Sequence, residues 1–495
     1  MLPGRPLLGI AGWASLVAAG VLLALALRAE TGVELDGRGW ELTASFAALL
    51  AGLVALRAGA VAVGFAAAFL VFGGLSAVAA AEQAIPAPDS ALLQLVHYGL
   101  AGAVRPAPIG EGAASFVYAL RITAAAGFLA SFAAVGVTSW QRRLGLREPG
   151  VAGREAGSQV DALTIQRVGQ ALVLLGLCGF GLALVRFAAS GQEAPTLFAR
   201  LKSFWTGGSY LLTLAAVSMP GIGLWLSAAL ARADQRSVRT CGAVAVLLVL
   251  ASVPTGQRGF GIQVALVVTA VLTARTMMSS RTLALLVVIG AAGLGVTQAA
   301  RNAAREEGTV RVGSMVQRLA PDRIGDLFGS QIASFRWTWD VARYRPQLDL
   351  PGPVRSLVSK PIPRALDPDK TQGFGTDFTA EVYPAAAAQD VGFATPLVAE
   401  MDYAYGWPGV AAAFLVLGAF TAFLWARSQR SDLILRPVLA TAIGWCAFLY
   451  LRGDLANATV IASSWIVPLI VVEVLLHRWP DRLRTLLRVG PAPES

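Results

Sequence analysis

The chain has 495 residues, of which 56% are hydrophobic and only 14% charged. That composition excludes an ordinary soluble domain and describes an integral membrane protein. Lysine and arginine outnumber aspartate and glutamate by 40 to 30, yet lysine occurs only at 202, 360 and 370, so the positive charge is almost all arginine. Cys178, Cys241 and Cys446 fall in or beside apolar runs, where cysteine is a small hydrophobe, and they form no disulfide framework. His97 and His477 stand alone, so no metal and no other cofactor is expected, and no nucleic-acid partner.

The first apolar run, residues 7–27, is longer than the roughly 7–15 residues of a cleavable signal core and reads as a retained span. Further runs long enough to approach the thickness of hydrocarbon lie at 41–56, 59–81, 113–139, 168–190, 208–231, 240–253, 260–274, 282–300, 396–426, 437–451 and 455–476. The expected fold is therefore all-α, a polytopic bundle of about 12 transmembrane helices. It divides into residues 1–300 with helices one to nine, a loop at 301–395, and residues 396–495 with the last three helices and a tail.

Short loops rich in arginine set the orientation. The segments with Arg142, Arg143, Arg147 and Arg154, with Arg232, Arg236 and Arg239, with Arg275 and Arg281, with Arg427, Arg430 and Arg436, and the tail with Arg478 to Arg488 alternate with the spans so that all five fall on one side. Placed in the cytoplasm, they leave both termini inside the plasma (inner) membrane and the 301–395 loop outside. That loop carries twelve Lys/Arg and eleven Asp/Glu, and long loops translocate regardless of charge.

Within the loop, Ile324, Phe328, Ile332, Phe335 and Trp339 recur at helical spacing, with Arg323, Asp326, Arg336, Asp340 and Arg343 interspersed. This predicts an amphipathic helix lying on the outer membrane surface or capping a cavity, with Trp337 and Trp339 suited to the interface, or else a small packed extracytoplasmic helix with no ligand. The stretch that follows, PGPVRSLVSKPIPRALDPDKTQGFGTD, is rich in proline and glycine and predicts an irregular loop. Its DPD at 367–369 resembles a metal-holding carboxylate pair but suits a turn or helix cap better.

Arginines recur at the outer ends of late spans: Arg258 in QRGFG, Arg301 and Arg305 in RNAAR, Arg452 in LRGD. The i, i+4 spacing puts Arg301 and Arg305 on one helical face. Guanidinium forks match phosphate oxygens in pairs, so such a set at a membrane mouth suits a lipid diphosphate, while each arginine alone could equally snorkel to headgroups. Candidate carboxylates lie nearby. Glu400 and Asp402 stand at the start of a span in AEMDYAYGWPG, and Asp377 and Glu381 stand in GFGTDFTAEVY. Acids entering hydrocarbon demand a polar setting, and acids in a first helical turn are also favoured by the macrodipole. A carboxylate in reach of a hydroxyl can act as general base, and Glu400, on a rigid element, is the foremost candidate ahead of Asp377 and Glu381.

The Gly-x-Arg-Gly turn at 256–259, the long late loop, the Ala-Glu-x-x-Tyr-x-x-Gly-x-x-Gly stretch at 399–409 and the Tyr-x-Arg-Gly at 450–453 together resemble the O-antigen polymerase family over roughly residues 240–476. Where that family often has Asn-Phe-Gly after the glutamate, this chain has Ala-Tyr-Gly. The resemblance implies a membrane glycosyltransferase that moves a growing glycan from undecaprenyl diphosphate onto another lipid-linked repeat unit. Arg258, Arg301 and Arg452 would bind the diphosphate, and the lipid bilayer, a chain-length regulator and a flippase would be partners. Two other classes compete. A ligase moving finished glycan to another acceptor usually carries a histidine in the outer loop, and 301–395 has none. A flippase or transporter tends to show internal repeats and mid-membrane polar groups, of which Arg121 is the one example here.

Overall fold

In the computed structural model, the described residues are 162–189, 209–252, 258–276, 334–360, 373–384, 394–431 and 434–479, with isolated positions between 118 and 140, between 362 and 371, and at 387 and 482. Among them there is helix and no strand. The helices are α1 (Ala162–Ala189), α2 (Ser209–Ala216), α3 (Ser218–Ala231), α4 (Gln235–Ser252), α5 (Arg258–Thr276), α6 (Ser334–Tyr344), α7 (Pro353–Ser359), α8 (Phe374–Val382), α9 (Leu397–Arg430), α10 (Arg436–Arg452) and α11 (Leu455–Arg478). A 3-10 turn, Arg345–Gln347, follows α6. Among the described residues, four stretches are long and apolar enough to cross a membrane: Ala162–Arg186, Thr213–Ala231, Leu397–Ser428 and Leu455–Leu476. The apolar runs expected before residue 113 and at 282–300 lie outside the described residues.

Two compact units divide the chain. One holds Met1–Leu144, Arg318–Leu424 and Cys446–Thr459; the other holds Gly145–Gln317, Trp425–Trp445 and Val460–Ser495.

The second unit is organised by α3, whose residues Ser218 to Ala229 are all buried. Glycine makes that burial tight. A Cβ on Gly169 of α1 would stand 2.5 Å from the Trp225 nitrogen, and one on Gly176 would stand 2.6 Å from Ser218 Cβ, so α1 and α3 approach backbone to backbone. The opposite side of α1 leaves Leu174, Leu182 and Val185 exposed, an apolar surface suited to lipid. Polar side chains link the helices of this unit: the Trp465 indole N–H donates to Gln263 Oε1 at 2.8 Å, and Ser227 Oγ donates to the Ile434 carbonyl at 2.8 Å.

In the first unit, helical positions between 118 and 140 pack Ile122, Ala126 and Ala130 against Val398, Met401, Val410 and Phe414 of α9. A second core joins α6, α8 and α9 through Trp337, Val341, Phe374, Phe378 and Ala399. Of the placements the sequence left open for the amphipathic segment, Trp337 takes the packed one: it is buried in that core, with its ring edge-on to Tyr383 at 6.1 Å. The Pro-rich stretch, expected to be irregular, is not wholly so: Pro353 opens α7, where a missing N–H costs nothing, and the GFGTD end of the stretch opens α8.

Candidate functional site

A set of polar residues of the first unit gathers around the first two turns of α9. Glu400, Asp402 and Tyr403 leave these turns in three directions, as the 100° step between helical residues dictates. Each is met by a different partner.

Glu400 is fully buried. Its Oε2 accepts the backbone N–H of Leu455 at 2.6 Å, the first residue of α11. Its Oε1 is buried as well and has no hydrogen-bond partner among the described residues. The same holds for Thr395 Oγ1, five residues earlier. Asp454, also buried, caps α11: Oδ1 accepts the Asn457 N–H at 2.8 Å, and Oδ2 accepts Asn457 Nδ2 at 2.8 Å. Oδ2 lies 3.4 Å from the N–H of Gly375, in the first turn of α8. The N-termini of α8 and α11 thus meet at Asp454, and Glu400 joins them, a setting in which helix dipoles favour negative charge. Gly373 makes room. It has φ +118, and a Cβ there would stand 2.6 Å from Asn457 Nδ2 and 3.3 Å from the Asp454 oxygens.

Asp402 is buried and accepts the Tyr118 O–H at 2.6 Å through Oδ1. Its Oδ2 lies 3.5 Å from Arg345 Nη1. Tyr403 anchors the loop after α6, donating its O–H to the Leu348 carbonyl at 2.9 Å and accepting the Leu350 N–H at 2.7 Å. Behind it, the Tyr383 O–H donates to the buried Asp340 at 2.8 Å.

The other candidates distribute as follows. Glu381 is exposed at the end of α8 and accepts the Asp349 N–H at 3.2 Å, while Asp377 is half-buried in the first turn of the same helix. Arg452 is the last residue of α10, half-buried, two positions before Asp454. Glu400, Asp377, Glu381 and Arg452 therefore belong to one unit. Arg258 begins α5 in the other unit, and Arg301 and Arg305 lie outside the described residues.

No known protein family, curated protein or solved structure matches the chain.

Sequence reasoning missed Tyr118, Arg345 and Asp454. Asp454 had a local signal, since aspartate three residues before asparagine at the head of an apolar run reads as a helix cap. Tyr118 and Arg345 had none, because their link to Asp402 spans 284 and 57 residues.

Chemically, Glu400 is held by one oxygen while the lone pairs of the other are unspent. Leaving a buried acceptor unpaired costs about 1–3 kcal/mol, so a donor reaching Oε1 is favoured. A hydroxyl that hydrogen-bonds there stands where a carboxylate can take its proton.

Proposed function

We propose that the chain is a membrane glycosyltransferase that polymerises undecaprenyl-diphosphate-linked oligosaccharide repeat units into a surface polysaccharide. It acts at the outer face of the plasma membrane, with both termini in the cytoplasm and the 301–395 loop outside. Glu400 is the general base: Oε2 is fixed by Leu455, and Oε1 takes the proton of the acceptor hydroxyl as that oxygen attacks the anomeric carbon of the donor glycan. The bond from that carbon to undecaprenyl diphosphate breaks, and the diphosphate leaves with the bonding electrons. Cations preorganised at that leaving group lower the barrier; Arg452 belongs to the unit of Glu400, and Arg258, Arg301 and Arg305 are assigned to the diphosphate on their sequence pattern alone.

The observation that supports this reading most is the unpartnered, fully buried Oε1 of Glu400 at the head of a membrane-grade helix. Burial implies that the first turns of α9 must part from their neighbours to admit a sugar.

Deleting the gene tests the function. Loss of polymer with lipid-linked single repeats accumulating on the outer leaflet is the expected result. Polymer that still forms but stays on its lipid carrier would make the chain a ligase. Single repeats trapped on the inner leaflet would make it a flippase.

A further inference from the structure

Helix α9 contains one residue outside helical geometry, Gly406, with φ 62 and ψ −156. That region of backbone space is essentially open to glycine alone. In an unbroken helix Tyr405 and Trp407 would point about 200° apart. Here both stand at the surface, 49% and 36% exposed, one on each side of the break.

Arg345 meets the break from the turn after α6. Its Nη2 lies 3.9 Å from where a Cβ on Gly406 would stand, and its Nη1 lies 3.5 Å from Asp402 Oδ2. Asp402 is buried and already accepts the short Tyr118 hydrogen bond, whereas the Arg345 side chain is 40% exposed. The ion pair is therefore long and one-sided: charge-assisted pairs close to about 2.7–2.9 Å, and a guanidinium offers five donors in a planar fork. Asp402 holds one edge of the group, and the side chain as a whole keeps 40% of its surface open to solvent.

The surroundings fix the depth. Tyr405 Oη is 3.9 Å from where a Cβ on Gly352 would stand, so the ring runs beside the loop that carries exposed Gln347 and Asp349. An aromatic pair next to exposed polar side chains belongs at the headgroup level of a bilayer rather than in hydrocarbon. A part-exposed guanidinium at that depth, only loosely held by its carboxylate, suits tetrahedral oxyanions.

We propose that Arg345, flanked by Tyr405 and Trp407 at the Gly406 break, binds a phosphate group presented at the membrane surface. The phosphate comes either from a phospholipid headgroup or from the diphosphate of a polyprenyl carrier. This site lies outside the arginine set invoked above, and it stands whether or not the chain polymerises glycan. If the source is a polyprenyl diphosphate, it supplies the catalytic reading with a second place to hold a lipid-linked substrate.

The test uses the full chain in nanodiscs. One arm measures equilibrium binding of radiolabelled farnesyl diphosphate in phosphatidylcholine discs, with farnesol as the phosphate-free control. The other counts, by native mass spectrometry, phosphatidylglycerol retained after purification from mixed lipid. Arg345→Gln should weaken one of these by about tenfold, the worth of a charged hydrogen bond. Arg345→Lys keeps the charge opposite Asp402 and should show a smaller loss, which separates lost binding from lost fold. A change confined to farnesyl diphosphate assigns the carrier lipid; a change confined to phosphatidylglycerol assigns the headgroup. Unchanged binding in both arms for both variants overturns the site, as does an equal loss of farnesol binding. A polymer assay that fails to implicate this chain while the Arg345 effect holds removes the catalytic reading and leaves the phosphate site standing.

Discussion

Two buried glutamates sit in the two units and are treated in opposite ways. Glu473 of α11 has both oxygens engaged by side chains: Oε2 accepts Arg427 Nε at 3.0 Å and Oε1 accepts Ser431 Oγ at 3.1 Å. Glu400 of α9 has one oxygen on a backbone N–H and the other buried without a partner among the described residues. A carboxylate matched by a cation and a hydroxyl is a tie between helices. One whose second oxygen is unspent retains capacity for a further donor. Burial alone does not distinguish these two acids; the state of the second oxygen does.

The largest effect that would sharpen this contrast is on turnover. Positioned general bases contribute about 10²–10⁴-fold, so Glu400→Gln should remove polymer synthesis by that order, measured as polymer per cell at matched protein level. Glu473→Gln should leave the rate per folded molecule within about twofold and lower the unfolding temperature instead, since a buried charged hydrogen bond contributes about 1.5–3 kcal/mol. An equal loss of turnover in both variants would erase the distinction.

Next in size are the backbone positions. Gly373→Ala must adopt φ +118 and push a Cβ to 2.6 Å from Asn457 Nδ2. It should cost more than the 1–3 kcal/mol of backbone strain alone, read by thermal unfolding of the purified chain. Gly406→Ala meets nothing nearer than 3.9 Å, so its cost should be confined to that strain. If Gly406→Ala proves the more damaging of the two, the packing around Asp454 is looser than its distances imply.

The smallest expected effect is that of Asp454→Asn. Asparagine can still cap α11 through one oxygen, but its amide nitrogen would face the Asn457 and Gly375 donors that Oδ2 now meets, so the loss should be about 1 kcal/mol. A loss of polymer in Asp454→Asn without a loss of stability would move the essential carboxylate from Glu400 to its neighbour.

How much of this was legible in the sequence depends on the range of the interactions involved. The described parts of the apolar runs at 168–190, 208–231, 240–253, 260–274, 396–426, 437–451 and 455–476 lie almost wholly on helices, because length and apolar continuity are local properties. α1 begins earlier, at Ala162, since Thr164 and Gln166 are buried and Gln166 is paired with Ser237. The amphipathic pattern around Trp337 was visible, but a pattern cannot tell a protein core from a lipid interface. α7 was hidden by its prolines, which read as breakers until Pro353 is seen at a helix start. Glu400 could be picked out as an acid in an apolar context. That its Oε2 would meet Leu455, 55 residues on, could not.

The most direct measurement of the central claim compares cells whose only copy is wild type or Glu400→Gln, scoring surface polymer and lipid-linked single repeats together with the unfolding temperature of the purified variant. Gln can still accept the Leu455 N–H, so the account predicts lost polymer, accumulated single repeats and an unfolding temperature within a few degrees of wild type. Normal polymer from the Glu400→Gln protein would contradict it, and would reduce Glu400 to an acid that caps α11.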